Sequence, residues 1–270
     1  MHNLGKKLAS LFLLACLVCM PASAFAWGTH GHRIVALVAA NYLSAVAQDE
    51  VTRLLRDEEL VDISTWADDI RPNRPETAPW HFVDIPLADN NFNPATECQN
   101  DDCVIAQLEK FRKVINDANA ARRERREALQ FIVHFMGDIH QPLHDADNND
   151  RGGNNFKVTF FGRPTNLHHV WDSDMIANSG LNDSDYAAAL VEEFSGLGTS
   201  GQQAMIVGSP LQWALEAHVL ARDNAYRVAS NRRIGKSYYD RNILIVDGQL
   251  LRGGVRLAKF LNDNLVRGNR

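Results

Sequence analysis

The sequence has few cysteines, no apolar run beyond its N-terminal segment and no excess of positive charge. Four cysteines in 270 residues exclude a small domain held together by disulfides. No stretch past the N-terminal segment is apolar enough to read as a membrane span. No Pro-, Gly- or Ser-rich linker and no internal repeat divides the chain, so it reads as one full-sized domain with a sizeable core. The formal net charge is −5. That argues against a basic nucleic-acid-binding surface of the usual kind. If such a chain binds phosphates, the positive charge has to come from elsewhere, and bound divalent cations would supply it.

The N-terminal segment reads as a secretory signal peptide spanning 1–26. Lys6 and Lys7 form the positive start, Leu8 to Met20 the apolar stretch, and Ala24-Phe25-Ala26 a small-x-small cleavage site. Cleavage after Ala26 leaves a domain spanning 27–270 that begins at Trp27, with a charge of −7 once Lys6 and Lys7 are gone. A lipoprotein signal ending at Cys16 is the weaker alternative, because Leu14 fits it poorly. Export places the protein in the periplasm or outside the cell. Cys98 and Cys103 remain in a polar loop, and their closeness in an exported chain points to one disulfide. A zinc site at this pair lacks a nearby third ligand.

The stretch from Phe131 to His144 carries His134, Asp138 and His144 in an otherwise apolar run. His134 and Asp138 are four apart, so on a helix they lie roughly 40° from each other, one turn apart. Pro142 restrains Gln141 and lacks an N–H, so the helix should kink or end there. Three such polar groups are costly to bury without a partner, and a metal ion is the simplest one. Asn166-Leu-His-His-Val-Trp-Asp172 repeats the His-x3-Asp spacing with His168 and Asp172.

Other candidates are scattered along the chain. A free Trp27 amine and the Trp27 carbonyl can chelate one ion, with His32 within reach. Asp68 and Arg71 sit in a short helix stopped by Pro72; they read as a ligand and a phosphate-binding cation, or simply as an ion pair three apart. Ser64 or Thr65 is a candidate cap for that helix. His81 stands beside Phe82, either as a ligand beside a base-stacking ring or as part of an aromatic core. Helices are expected over Arg33 to Leu55, Val104 to Asn119, Arg122 to Gly137, Asp183 to Phe194, Leu211 to Val228 and Ile243 to Leu265. Phe156 to Phe161 and Arg163 to Asn166 form a candidate hairpin. His218 reads as structural. The nine possible ligands are too many for one tetrahedral zinc, and nitrogen and carboxylate donors without cysteine suit an open catalytic cluster.

These motifs resemble those of the three-zinc, single-strand-specific nucleases of fungi, plants and bacteria, also called bifunctional nucleases/3′-nucleotidases, in the phospholipase C/nuclease superfamily. They are Trp27-Gly…Gly-His32, Trp66-Ala-Asp68, Trp80-His-Phe82, Val133-His-Phe-x-Gly-Asp138, Gln141-Pro-Leu-His144, Gly152-Gly-Asn154 and Asn166-Leu-His-x-x-Trp-Asp172. The resemblance runs through nearly the whole chain after residue 26. It implies a mainly α, single helical domain with a small β-hairpin. It also implies three Zn²⁺ sites: Asp68, His81, His134 and Asp138; Trp27, His32 and the shared Asp138; and His144, His168 and Asp172. Three Zn²⁺ would move the charge from −7 to about −1. Asp68 would orient the attacking water and Arg71 would stabilise the leaving side of the phosphate. Phe82 would stack a base, Asp84 would contact its edge, Asn154 would lie in the active-site loop, and Cys98 and Cys103 would pair. The implied substrates are single-stranded DNA and RNA and 3′-mononucleotides. The chain is read as a monomer with no stable protein partner. A zinc-dependent phospholipase C and a non-catalytic exported zinc-binding protein are the alternatives; Asp172, where the lipase typically has Glu, favours the nuclease.

Overall fold

A computed structural model describes residues 27–265; the expected signal peptide lies outside them. The described residues form a mainly helical domain built round one continuous apolar core. In chain order the helices are α1 (Thr29–Ala40), α2 (Ala45–Leu55), α3 (Trp66–Ile70), α4 (Pro94–Glu97), α5 (Val104–Asn116), α6 (Arg122–Asp138), α7 (Leu167–His169), α8 (Met175–Ala177), α9 (Asp183–Gly196), α10 (Thr199–Ile206), α11 (Pro210–Leu220) and α12 (Lys236–Asn264). Among the described residues no helix is long and apolar enough to cross a membrane.

The 29-residue α12 is the spine, about 43 Å long at 1.5 Å per residue. It packs against α1, α6, α9 and α10. Its approach to α1 is close enough that a Cβ on Gly254 would stand 2.4 Å from Val38 Cγ1. α5 and α6 form an antiparallel hairpin against the core. Glu124 reaches back to the Ala121 N–H at 3.2 Å and closes the first turn of α6.

Several expectations need correcting. The helix expected over Arg33 to Leu55 is two helices. Ser44 accepts from the Ala47 N–H and starts α2. Asn262 of α12 holds the intervening turn, accepting from Ser44 N at 2.7 Å and donating to Tyr42 O at 2.9 Å. Neither Ser64 nor Thr65 caps α3 with its side chain; Ser64 Oγ instead donates to Val61 O. The helix expected from Leu211 to Val228 leaves α geometry after Leu220 through a π-helical turn, Ala221–Ala225. The last helix starts at Lys236, ahead of the expected Ile243.

The hairpin forms as β1 (Lys157–Phe160) and β2 (Arg163–Asn166), antiparallel with Lys157 opposite Asn166. A strand without a sequence signature joins them. β3 (Arg233–Ile234) pairs parallel to β1, giving the order β2-β1-β3. Cys98 and Cys103 are joined by a disulfide, with Cα atoms 5.1 Å apart.

Candidate metal centre and substrate cleft

His134 and Asp138 lie on the last turn of α6 and are fully buried. The helix ends at Asp138, and Gln141 adopts the extended conformation that Pro142 demands. A 3-10 turn, Pro142–His144, then swings His144 to the same side. α1 brings His32, α3 brings Asp68, and the end of a 3-10 stretch, Pro75–His81, brings His81. His168 stands on α7 and Asp172 in the π-helical turn Val170–Asp174 that follows. All eight side chains are buried.

Three groups of ligand atoms result, each lying within 4.8 Å of one another: His32, His134 and Asp138; Asp68, His81 and His134; and His144, His168 and Asp172. Asp138 is the hub. Its Oδ1 stands 3.4 Å from His32 Nε2 and 3.7 Å from His144 Nδ1. Its Oδ2 stands 3.1 Å from His81 Nδ1 and 3.4 Å from His134 Nε2. His32 and His134 stack with ring centres 3.8 Å apart, and His134 belongs to two of the three groups. Gly137 permits this crowding, since a Cβ there would stand 2.7 Å from His32 Nδ1 and 3.6 Å from Trp27 Cδ1. Trp27 is thereby placed beside the cluster, with its side chain fully buried.

Backbone carbonyls aim the imidazoles. The Nδ1–H of His134 donates to Ser64 O (2.7 Å), that of His144 to His81 O (2.8 Å) and that of His168 to Gly152 O (2.7 Å). Each leaves Nε2 as the outward-facing atom, an arrangement that fixes a ligand's tautomer and direction. Gln141 donates to Asp172 Oδ1 while its own carbonyl accepts from Leu143 N.

Both nitrogens of His32, the Nε2 atoms of His81, His134 and His144, and Asp138 Oδ1 are buried with no hydrogen-bond partner. Bare polar atoms at this density are costly. Cations among them would satisfy them together, and donors of nitrogen and oxygen without thiolate fit zinc. Electrostatics agree. Burial first, then neighbouring imidazoles, hold His32, His81 and His144 well below the usual histidine range, in the neutral form that ligates. Burial, then the charge of Asp68, pushes Asp138 up, and a cation at that position would favour its carboxylate form.

Three of the ligand side chains, His81, His144 and His168, line a cleft of about 170 Å³ together with Arg71, Phe82 and Asp84, with Asp147, Arg151 and Asn154 on its rim. Larger hollows of about 590 and 640 Å³ lie elsewhere and contain none of these ligand side chains. Arg71 Nη1 contacts Asp68 Oδ1 at 2.8 Å; the ion pair is part-buried and faces the cleft. His81 also packs on the aromatic core, 5.1 Å from the Phe135 ring centre. Asp84 is exposed at the mouth, yet the packed atoms around its carboxyl, and then Asp147, raise it to about 6 against the pull of Arg151. Asn154 donates to Arg151 O. His218 lies outside the cleft, bridging Asp145 O and Asp89 O. Arg151, Asp147, Gln141 and the Gly152 carbonyl are the parts that sequence reasoning leaves unassigned. Only Gln141 and Gly152 carry a signal, as members of motifs.

The model of the S1/P1 nuclease family matches residues 27–266. Endonuclease 3 of Arabidopsis thaliana is 32% identical over 96% of this chain and 95% of its own length. Nuclease P1 of Penicillium citrinum is 31% identical over 88% and 97%, and nuclease S1 of Aspergillus oryzae 28% identical over 88% and 91%.

Proposed function

The chain belongs to the S1/P1 nuclease family, hydrolases of phosphodiester bonds, and from this premise we propose that it is an exported, zinc-dependent endonuclease. It cuts single-stranded DNA and RNA to 5′-mononucleotides and removes phosphate from 3′-mononucleotides. The family match supports this over a phospholipase C. What carries the metal part of the reading is the set of bare, buried donor atoms around Asp138.

One zinc would be held by Asp68, His81, His134 and Asp138, and a second by the Trp27 amine and carbonyl with His32 and Asp138. The third would be held by His144, His168 and Asp172. Zinc in these places supplies Lewis acidity, which makes water a usable nucleophile near neutral pH and draws charge from a phosphoryl oxygen. Asp68 orients the attacking water. Arg71, already at the cleft side of Asp68, places a charged donor beside the leaving 3′-oxygen. Phe82 offers a ring on the cleft wall, and stacking on it requires a base free of its own stack, which selects single strands. Asp84 contacts the base edge, and Asn154 lies in the active-site loop. Export follows from the N-terminal segment, and its removal frees the Trp27 amine that completes the second site.

The test uses purified protein beginning at Trp27. Elemental analysis is expected to give about three zincs per chain, with acid-soluble nucleotide released from single-stranded DNA and activity abolished by chelator. One zinc or none, with no release, would overturn the reading.

A further inference from the structure

The net charge of −5 hides an uneven distribution. Residues 151–163 carry Arg151, Lys157 and Arg163 and no acid. Residues 227–241 carry Arg227, Arg232, Arg233, Lys236 and Arg241 and the single acid Asp240. The sheet lays these segments side by side: Thr159 of β1 lies opposite Arg233 of β3, and Thr159 N donates to Arg232 O at 3.0 Å. Within these two segments eight cations and one acid make +7, leaving −12 for the rest of the chain. All eight cations are exposed.

Little on the protein neutralises them. Lys236 pairs with Asp240 at 2.7 Å, and Arg227 reaches Asp223 only at 4.0 Å. Arg163, Arg233 and Arg241 form no ion pair among the described residues. Arg232 Cζ lies over the Phe156 ring, 4.4 Å from its centre. Arg227, Arg233, Lys236 and Arg241 surround a hollow of about 580 Å³ in front of α12. The face is continuous with the cleft, because Lys157 Nζ donates to Asn154 O, and Asn154 and Arg151 line the cleft rim.

We propose that this face is a second binding surface for the phosphate backbone of a polynucleotide. It guides a single strand from the cleft across β1 and β3 to the hollow before α12. The proposal rests on the nuclease reading. Arginine outnumbers lysine six to two, and guanidinium forks match phosphate oxygens bidentately. Continuity with the cleft favours a nucleic acid over an anionic lipid surface.

The experiment compares metal-loaded wild-type protein with Arg233→Glu/Arg241→Glu on a single-stranded oligonucleotide of about thirty nucleotides and on a dinucleotide. On the long substrate, kcat/KM at low salt is expected to fall about tenfold through KM. Its logarithmic salt dependence should become shallower by about 1.4, at roughly 0.7 per phosphate contact. The dinucleotide rate should stay unchanged, and Arg233→Lys/Arg241→Lys, which keeps both charges, should keep the wild-type salt dependence. Equal losses on both substrates, or no loss on either, overturn the proposal. Anisotropy of a labelled phosphorothioate oligonucleotide decides the same question without catalysis: weaker binding by the Glu variant supports the surface, and unchanged binding overturns it. A loss confined to phosphatidylserine vesicles also overturns it. Should the wild-type protein cleave neither substrate, the nuclease reading fails while the anisotropy result still judges the surface.

Discussion

The two halves of the ligand cluster share a sequence spacing and differ in backbone. His134 and Asp138 sit four apart on a regular α-helix, with Nε2 and Oδ2 3.4 Å apart. His168 and Asp172 are also four apart, but the chain between them passes from α7 into a π-helical turn, and the same atoms stand 3.1 Å apart. π turns are rare and concentrate at functional sites. The supports differ as well. Gln141 and the Gly152 carbonyl brace Asp172 and His168. The Asp138 side has more loose ends: both nitrogens of His32 and Asp138 Oδ1 lack a hydrogen-bond partner. One half is held by the protein; the other relies more on what it binds.

The largest effect is expected from Asp138→Ala. Asp138 touches four imidazoles, so under the proposed three-zinc assignment its loss is expected to remove two zincs and to lower kcat/KM about 10³-fold, on the order of 4 kcal/mol. Zinc content and steady-state kinetics on single-stranded DNA check it; retention of three zincs would mean that Asp138 is no shared ligand. Gln141→Leu should act on the other half alone. It leaves Asp172 unbraced and should weaken one zinc by roughly 10–100-fold, seen as one chelator-labile ion against two that stay. A uniform weakening of all three would show that the halves are not independent.

The smallest effect is electrostatic. In chelated protein the Asp84 carboxyl, raised to about 6 by its packed surroundings and by Asp147, should titrate near that value by NMR. A raised carboxyl contributes stability that is complete below its unfolded value and is lost as pH rises through about 6. Loading zinc should move the titration down, because nearby cations favour the carboxylate. An unmoved titration would place the cations too far from Asp84 for it to meet a substrate bound at the cluster.

Much of the site could be read along the chain. The polar triplet His134, Asp138 and His144 stood out because three ionisable groups in an apolar run require a partner. Pro142 announced the end of α6, as local sterics demand. The hairpin β1–β2 was legible from its β-branched and aromatic residues. The break at residues 41–44 was not, since the side chain that anchors it, Asn262, lies more than two hundred residues away. Nor was β3, whose two residues are a strand only because β1 is beside them.

Residue type and short-range spacing set the ligand chemistry, the helical class and the motifs of a nuclease family, because they govern donor atoms and helix faces. Folding set the rest: His134 enters two of the ligand groups, Gln141 and the Gly152 carbonyl brace the third, and two separate basic segments lie side by side. Net charge is a sum over the chain. A binding surface is a local density, and folding alone sets where the charges fall.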